Sequence, residues 1–255
     1  MNPQHVLEGL VDEENVGLAA AAIANLAAKM QDSSQATIAR HLFRSAQDLF
    51  KLAEDPYQSA RCQLDLGRIE VAAGRYGLAR RYLTAARKRF VAMGTPKEVA
   101  GCDEALGDVA DAEGRFTDAL ELYGSAHEVY DALGMGPAST WCQYQIGRML
   151  RLCDRAGEAY ALLSEARDTY RSHAVTNQVA DCELEMAFAA LGMGSLDVAV
   201  QHARNSRVLF DAAGDDEQVE TCDHLLAQAN YEAAMDEMEI EWHWTSWGGQ
   251  NDGHR

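Results

Sequence analysis

The 255-residue sequence predicts an all-α protein, a solenoid in which pairs of antiparallel helices stack one after another. Three observations support this prediction. A cysteine returns every 40 residues, apolar residues follow helical rather than strand spacing, and glycine or proline marks the ends of the predicted helices. The cysteines of this series are Cys62, Cys102, Cys142, Cys182 and Cys222.

Other positions repeat with the same step of 40 residues. Two of these series are alanines and one is aromatic. They run from Ala39 to Ala199, from Ala46 to Ala166 and from Phe50 to Phe210. They begin one step ahead of Cys62, where Ala22 takes the place of the cysteine. One repeat cannot bury its own apolar face, so consecutive repeats are expected to stack.

The first helix of each repeat is predicted from its apolar stripe. Cys62, Leu66 and Ile69 follow i, i+4, i+7 spacing, which places them on one helix face. Because the cysteine lies on this packing stripe, the five cysteines of the series are expected to be reduced and buried. Cys153 lies outside the series and is expected to be more exposed. The run from Thr95 to Glu98 predicts a capping box at a helix start.

The second helix of each repeat carries alanine and larger apolar residues on one face. In the Cys62 repeat these residues are Ala79, Leu83, Ala86 and Phe90. Gly74 marks the break between the two helices, and further glycines occupy equivalent places in other repeats. Small residues allow two helices to approach closely, and the larger ones fill the spaces between successive pairs. No segment has the period-2 alternation of a strand.

These motifs resemble the tetratricopeptide-repeat (TPR) family. The family's small–Leu–Gly run is similar to Leu66-Gly67 and Leu106-Gly107, and its second-helix pattern is similar to Ala79, Leu83 and Ala86. The resemblance covers about residues 13–240, with a period of 40 instead of the usual 34. It implies a right-handed α-solenoid of stacked antiparallel helix pairs, with a concave groove that binds ligands.

The repeat pattern also predicts how the chain is organised. The expected parts are an N-terminal, mobile segment (1–12), five helix pairs (13–213), a C-terminal capping helix (214–241) and a tryptophan-containing tail with a disordered end (242–255). Three roles stay open for Trp244 and Trp247. They cover the open end of the stack, occupy a groove of this or another copy, or recruit a partner.

Composition and motifs exclude several functions. A net charge of −18 disfavours nucleic-acid binding, which needs clustered Lys and Arg. The longest apolar run, at 18–28, is too short to span a membrane, and the first residues lack a secretory signal, so a cytoplasmic protein is expected. Phosphate-binding loops, dinucleotide motifs, HExxH and CxxC are absent. The sequence therefore predicts a protein that is not an enzyme and uses no cofactor or metal.

Charge is distributed unevenly along the chain. Residues 61–90 contain eight bases and two acids, whereas residues 211–255 contain 12 acids and one base, Arg255. One interpretation is an ordinary solvated helix surface. The other is a basic patch that meets an acidic partner or the acidic end of a second copy.

Candidate ligand contacts come from the groove-facing places that the resemblance implies on each first helix. These candidates are Arg61, Arg68, Trp141, Tyr144, Arg148, Arg151, Phe188, His224 and Tyr231. The Cys142 repeat combines two aromatics and two arginines, residue types that are enriched at binding hot spots. Arginine holds a carboxylate through two hydrogen bonds while a neighbouring ring packs on the ligand. The alternative is that Trp141 packs between repeats and the arginines pair with Glu104, Asp108 or Asp111.

The resulting functional hypothesis is a non-catalytic adaptor that binds a protein or peptide segment in its groove. The expected segment is acidic or carries a free carboxylate, and no nucleic acid or membrane is expected as a partner. Two alternatives remain. One is a peptide-sensing regulator that acts through a second protein, and the other is a structural subunit that self-associates as a homo-oligomer.

Overall fold

The structure is a computed structural model that describes residues 13–30 and 35–248, with side chains for 16–30 and 35–235. Within these ranges it contains eleven α-helices and no β-strand. The helices are α1 (Glu13–Ala28), α2 (Ala36–Leu52), α3 (Pro56–Ala72), α4 (Tyr76–Met93), α5 (Pro96–Ala112), α6 (Phe116–Ala132), α7 (Gly136–Leu152), α8 (Ala156–Ser172), α9 (Thr176–Gly192), α10 (Leu196–Ala213) and α11 (Asp216–Gly248). The expectations for 1–12 and 249–255 lie outside the described residues.

The chain divides into two compact units, and the boundary between Cys142 and Gln143 falls inside α7. In the first unit, each helix from α1 to α5 packs against the next one, and in the second unit α8 to α11 do the same. Helices joined by short turns pack as antiparallel neighbours. Each unit is therefore a stack of helix hairpins, in agreement with the all-α prediction.

Close packing within a hairpin depends on a glycine of the first helix opposite a large residue of the second. A Cβ added at Gly107 would lie 2.8 Å from the ring of Tyr123, and one at Gly147 would lie 2.6 Å from Cγ of Leu163. Gly67 faces Leu83 in the same way. The glycine and the large residue are the same number of positions apart in the sequence in all three hairpins, so the 40-residue repeat preserves this close packing.

A second contact, between residues the same number of positions apart in the sequence, joins three of the hairpins to the next helix. An arginine of a second helix pairs with an acid on the first helix of the following repeat. The pairs are Arg87–Asp103 at 2.5 Å, Arg167–Glu183 at 3.6 Å and Arg207–Asp223 at 2.6 Å. Sequence reasoning missed them, although the arginines stand at equivalent repeat positions.

One residue in nearly every turn adopts the left-handed conformation. Six of these residues are the glycines at 74, 94, 114, 134, 194 and 214, with φ between 66° and 74°. The other three are Glu54, Asp154 and Ala174, with φ between 52° and 59°. All nine are evenly spaced along the chain, so the turn geometry repeats even where glycine does not. Glycine adopts this conformation without the steric penalty that other residues incur.

Two helix starts that look alike in the sequence are capped differently. Asp55 accepts a hydrogen bond from the backbone N–H of Gln58 at 2.9 Å, as an N-cap should. The capping box expected at Thr95 does not form. The Thr95 hydroxyl instead donates to the carbonyl of Phe90, and Glu98 accepts a hydrogen bond from Tyr57.

The cysteine prediction is confirmed. All five cysteines of the series are buried and Cys153 is half-buried. Burial raises the pKa of the Cys62, Cys102, Cys142 and Cys182 thiols to about 12. These thiols therefore stay protonated and unreactive at neutral pH.

The first and last helices depart from the other repeats. Leu26 stands at the place of Leu66, yet it is 49% exposed, because α1 is the first helix of the stack among the described residues. At the other end, α11 continues to Gly248, whereas a helix end near 241 was expected. The intervening residues WHWTSW contain no proline or glycine that would end it.

Candidate functional site

The candidate contacts lie on first helices, but the structure does not place them in one environment. Arg61, Arg68, His224 and Tyr231 are exposed. The candidates from the Cys142 and Cys182 repeats are half-buried, namely Trp141, Tyr144, Arg148, Arg151 and Phe188. Trp141 belongs to the first unit, whereas the other four belong to the second. Half-buried polar and aromatic side chains are held in fixed orientations, which favours the second-unit group as a binding site.

Glu185 on α9 organises this group. Its two carboxylate oxygens lie 3.3 Å from Nε of Arg148 and 2.6 Å from Nε of Arg151, both on α7. Gln145 accepts a further hydrogen bond from Arg148 at 2.7 Å. Glu185 is 9% exposed, so water screens these charge pairs only weakly. The carboxylate therefore fixes both guanidinium groups beside each other.

Aromatic rings flank the two arginines. The guanidinium carbon of Arg151 lies 5.0 Å from the centre of the Phe188 ring, and that of Arg148 lies 6.0 Å from the Tyr144 ring. Cations at this distance are attracted to the ring face. Burial raises the pKa of the Tyr144 hydroxyl above its ordinary value, with Glu185 and Asp181 adding to the effect. The tyrosine therefore stays neutral.

Of the two arginines, Arg151 has N–H donors that make no hydrogen bond to the described residues. It donates through Nε to Glu185, and its two terminal nitrogens make no hydrogen bond to the described residues. Its side chain is 22% exposed. A guanidinium carries five N–H donors, so the terminal nitrogens remain available to an acceptor that approaches from solvent.

Asp181 adds a titratable group to the site. The pKa of its carboxyl is raised from 3.8 to about 6, mainly by burial and further by the nearby carboxylates of Glu185 and Asp215, whereas Arg148 opposes the shift. Asp181 precedes Glu185 by one helical turn on α9. The local charge of this site therefore changes between neutral and mildly acidic pH.

The equivalent helix faces of the first unit have a different character. Arg68 lies 3.8 Å from Glu104, and Glu104 accepts a hydrogen bond from Tyr130 at 2.8 Å. Asp108 accepts one from Tyr123 at 2.7 Å. Burial raises the pKa of Asp108, and the Tyr123 hydrogen bond partly opposes this shift. Tyrosine hydroxyls, not arginines, are thus the main partners of these carboxylates.

The structure departs from the sequence predictions at two further points. Leu64 and Leu184, which the resemblance implies are groove-facing, are 6% and 7% exposed and belong to the packed core. Leucine at this position is apolar and buries readily between neighbouring helices. Glu185 was not among the candidates. The signal that would have found it is an acid one turn after Asp181 and one turn before Phe188.

Other kinds of site were also sought. Among the described residues, no three His, Cys, Asp or Glu side chains are grouped so that they could hold a metal ion. No helix in that part of the chain has the length and apolar character needed to cross a membrane.

No family model matches the chain, and no curated protein is significantly similar to it. Solved structures do resemble it. A putative kinesin light chain from Podosopora anserina with nearly identical TPR-like repeats has a TM-score of 0.62 at 16% identity, covering 76% of this chain and 95% of that one. Aspartyl phosphate phosphatase F from Bacillus subtilis has a TM-score of 0.66 at 13% identity, covering 82% of this chain.

A third similar structure is the Rap conjugation gene regulator of plasmid pLS20 in complex with a Phr peptide. Its TM-score is 0.62 at 17% identity, covering 91% of this chain. This chain spans only 56% of phosphatase F and 66% of the Rap regulator. The likenesses show the fold, so the chain is a TPR-like helical solenoid as the sequence predicted.

Proposed function

We propose that this protein is a non-catalytic adaptor that binds a protein or peptide segment through the Arg148–Arg151–Glu185 site of its second unit. The observation that carries the proposal is the state of Arg151. Its Nε is fixed by Glu185 and its guanidinium lies over Phe188, yet its terminal nitrogens have no partner among the described residues. Such a side chain is oriented before any ligand arrives, which lowers the entropic cost of binding.

A carboxylate fits this site best. The terminal nitrogens of a guanidinium match the two oxygens of a carboxylate in spacing and charge. The Phe188 and Tyr144 rings beside the arginines offer apolar contact to the adjoining part of a ligand. We therefore infer that the bound segment carries an acidic side chain or a free C-terminal carboxylate. The Rap regulator of similar fold is described in complex with a peptide, which supports a peptide-sized ligand.

Catalysis has little support in the structure. The acid–histidine pair formed by Glu183 and His202, at 2.6 Å, is buried, and Tyr160 occupies the other ring nitrogen of His202 at 2.9 Å. This chain of hydrogen bonds joins α8, α9 and α10 in the core. General acid–base catalysis needs a substrate within hydrogen-bond reach, and none can approach an imidazole engaged on both sides.

An array of acidic peptides tests the proposal, each made with a free or an amidated C-terminus. We expect the protein to retain acidic peptides, and we expect Arg151→Ala to weaken binding by more than about 2 kcal/mol, roughly 30-fold. Arg151→Lys should recover little, because an ammonium cannot form the two parallel hydrogen bonds.

Arg155→Ala is the matched control. Arg155 lies four residues from Arg151, is exposed, and pairs with the exposed Glu158, so its loss removes the same charge outside the site. The proposal fails if no acidic peptide is retained. It also fails if Arg151→Ala and Arg155→Ala bind equally in proteins with unchanged circular dichroism spectra.

A further inference from the structure

We propose that two copies of this chain form a symmetric dimer, in which helix α4 of each copy lies on helix α6 of the other. The contact uses the outward faces of these two helices, which are successive second helices of the first unit. It includes none of the peptide-site residues, so it stands apart from the proposed function.

Helices α4 and α6 both flank α5 and run in the same direction. Asp103 on α5 accepts a hydrogen bond from Arg87 on α4 at 2.5 Å and one from Ser125 on α6 at 3.4 Å. Because α5 is joined to each of these helices by a short turn, it packs antiparallel to both. Residues that are 40 positions apart in the sequence therefore lie at matching heights on α4 and α6.

The outward face of α4 is basic. Arg81 and Lys88 are seven residues apart, a rise of about 10 Å along the helix. They lie on the side of α4 that faces away from its buried stripe. Both are exposed, and neither pairs with an acid among the described residues. The buried residues of α4 are Ala79, Leu83, Ala86 and Phe90.

The outward face of α6 is acidic. Glu121 and Glu128 occupy the places on α6 that the two cations occupy on α4. Both are exposed, and neither makes an ion pair within the ranges that the structure describes. The fold does not require charge at these places, because α10 carries Gln201 and Val208 there. The opposite charges of α4 and α6 therefore belong to this surface and not to the repeat.

Two neighbouring helices of opposite charge form a self-complementary surface. A two-fold axis parallel to the helices places α4 of one copy on α6 of the other, and symmetry supplies the reverse contact. Arg81 then faces Glu121 of the other copy, and Lys88 faces Glu128, because the two pairs have the same spacing. An axis across the helices would instead place α4 on α4, with like charges together. The charges therefore select a closed dimer.

The other outward positions allow the two copies to approach closely. Most of them carry small side chains, so no bulky group holds the facing helices apart. These residues are Gly77, Thr84 and Ala92 on α4 and Thr117, Gly124 and Ala132 on α6.

Sedimentation velocity of the full chain, over a range of protein concentrations, tests the dimer. Physiological salt suits the experiment. The chain carries −18, so distant parts of two copies repel, and a Debye length of about 8 Å screens that repulsion more than it screens charges in contact. We expect a monomer–dimer equilibrium without larger species, because a two-fold contact is closed.

Charge reversal identifies the contact. The base-reversed variant Arg81→Glu/Lys88→Glu and the acid-reversed variant Glu121→Lys/Glu128→Lys should each weaken dimerisation by at least about tenfold, because like charges then face each other. Mixed in equal amounts, the two variants should form a heterodimer. In the mixture, α4 of each variant again meets an α6 of opposite charge.

Two controls make the same changes of net charge away from α4 and α6. Arg61→Glu/Arg155→Glu matches the base-reversed variant, and Glu217→Lys/Glu220→Lys matches the acid-reversed variant. All four residues are exposed, and none of them lies on a second helix of the first unit. Both controls should dimerise as the unaltered chain does.

Several results would overturn the proposal. A chain that stays monomeric at every concentration does so, and so does assembly into species larger than a dimer, which requires an open contact. Weakening by the controls equal to that by the reversed variants would show that net charge governs association instead of the α4–α6 contact. Failure of the mixed variants to form a heterodimer, when circular dichroism shows both folded, overturns the proposal equally.

Discussion

The first-helix faces of the two units carry different chemistry. In the first unit, Arg68 stands 3.8 Å from Glu104, and tyrosine hydroxyls hold the carboxylates. In the second unit, one carboxylate, Glu185, holds both Arg148 and Arg151. The fold constrains the small and apolar packing positions, whereas the polar positions on these helix faces are free to vary. One repeat architecture therefore carries two different sets of polar contacts along a single chain.

The largest expected difference between the faces comes from removing their central carboxylates. Glu185→Gln leaves two half-buried guanidinium groups without their shared charge, so we expect the free energy of unfolding to fall by about 3 kcal/mol. Glu104→Gln removes a looser pair whose arginine is 47% exposed, so its effect should stay below about 1 kcal/mol. Urea unfolding followed by circular dichroism measures both. Equal losses would show that the two faces are held equally tightly.

A smaller effect separates the turns of the two units. Ala174 in the second unit adopts φ of 56°, whereas Gly134 occupies the equivalent turn in the first. Left-handed backbone costs a residue with a Cβ about 1 kcal/mol. Ala174→Gly should therefore stabilise the protein by about that amount, and Gly134→Ala should destabilise it similarly. Thermal melts should move in opposite directions, and a shift of the same sign in both would contradict the assignment.

The third effect depends on pH and concerns Asp181. Its carboxyl has a pKa of about 6 in the folded protein and 3.8 ordinarily, so the folded state binds the proton more tightly. Ionised Asp181 therefore lowers stability above about pH 6, and this loss disappears below about pH 4. Asp181→Asn should raise Tm at about pH 8 and leave it unchanged at about pH 3.

Asp108→Asn in the first unit is the comparison for this experiment. Burial raises the pKa of Asp108, but the Tyr123 hydrogen bond opposes the shift. The rise in Tm for Asp108→Asn should therefore be smaller than that for Asp181→Asn. A pH-independent change for Asp181→Asn would mean that the substitution acts through packing and not through charge.

The fold was predictable because its requirements recur at fixed spacing. Gly67 and Gly107, the cysteine series and the apolar stripes each reflect a local packing need that repeats in the sequence. The partner of Arg151 was not predictable in this way. The positions equivalent to Glu185 in the other cysteine repeats are Asp65, Ala105, Gln145 and Leu225, so periodicity says nothing about which repeat supplies a carboxylate.

Some local features could not be predicted from the sequence because two hydrogen bonds compete for the same side chain. Thr95 has the residue type of an N-cap, yet its hydroxyl donates to the carbonyl of Phe90. Such a choice depends on a difference of about 1 kcal/mol between two hydrogen bonds, which a motif does not encode. The length of α11 depends likewise on the absence of a helix-ending residue before Gly248.

The evenly spaced contacts between neighbouring helices constrain how the chain can change length. The contacts Gly107–Tyr123 and Arg87–Asp103 each cross one turn between helices, and contacts of both kinds recur one or more repeats along the chain. Duplication or loss of a whole repeat would keep the remaining helices in the same packing register. Inserting one residue within a helix would instead rotate all later side chains by about 100°. A gene for this chain can thus grow or shrink by recombination in whole repeats, while single-codon insertions survive only in the turns.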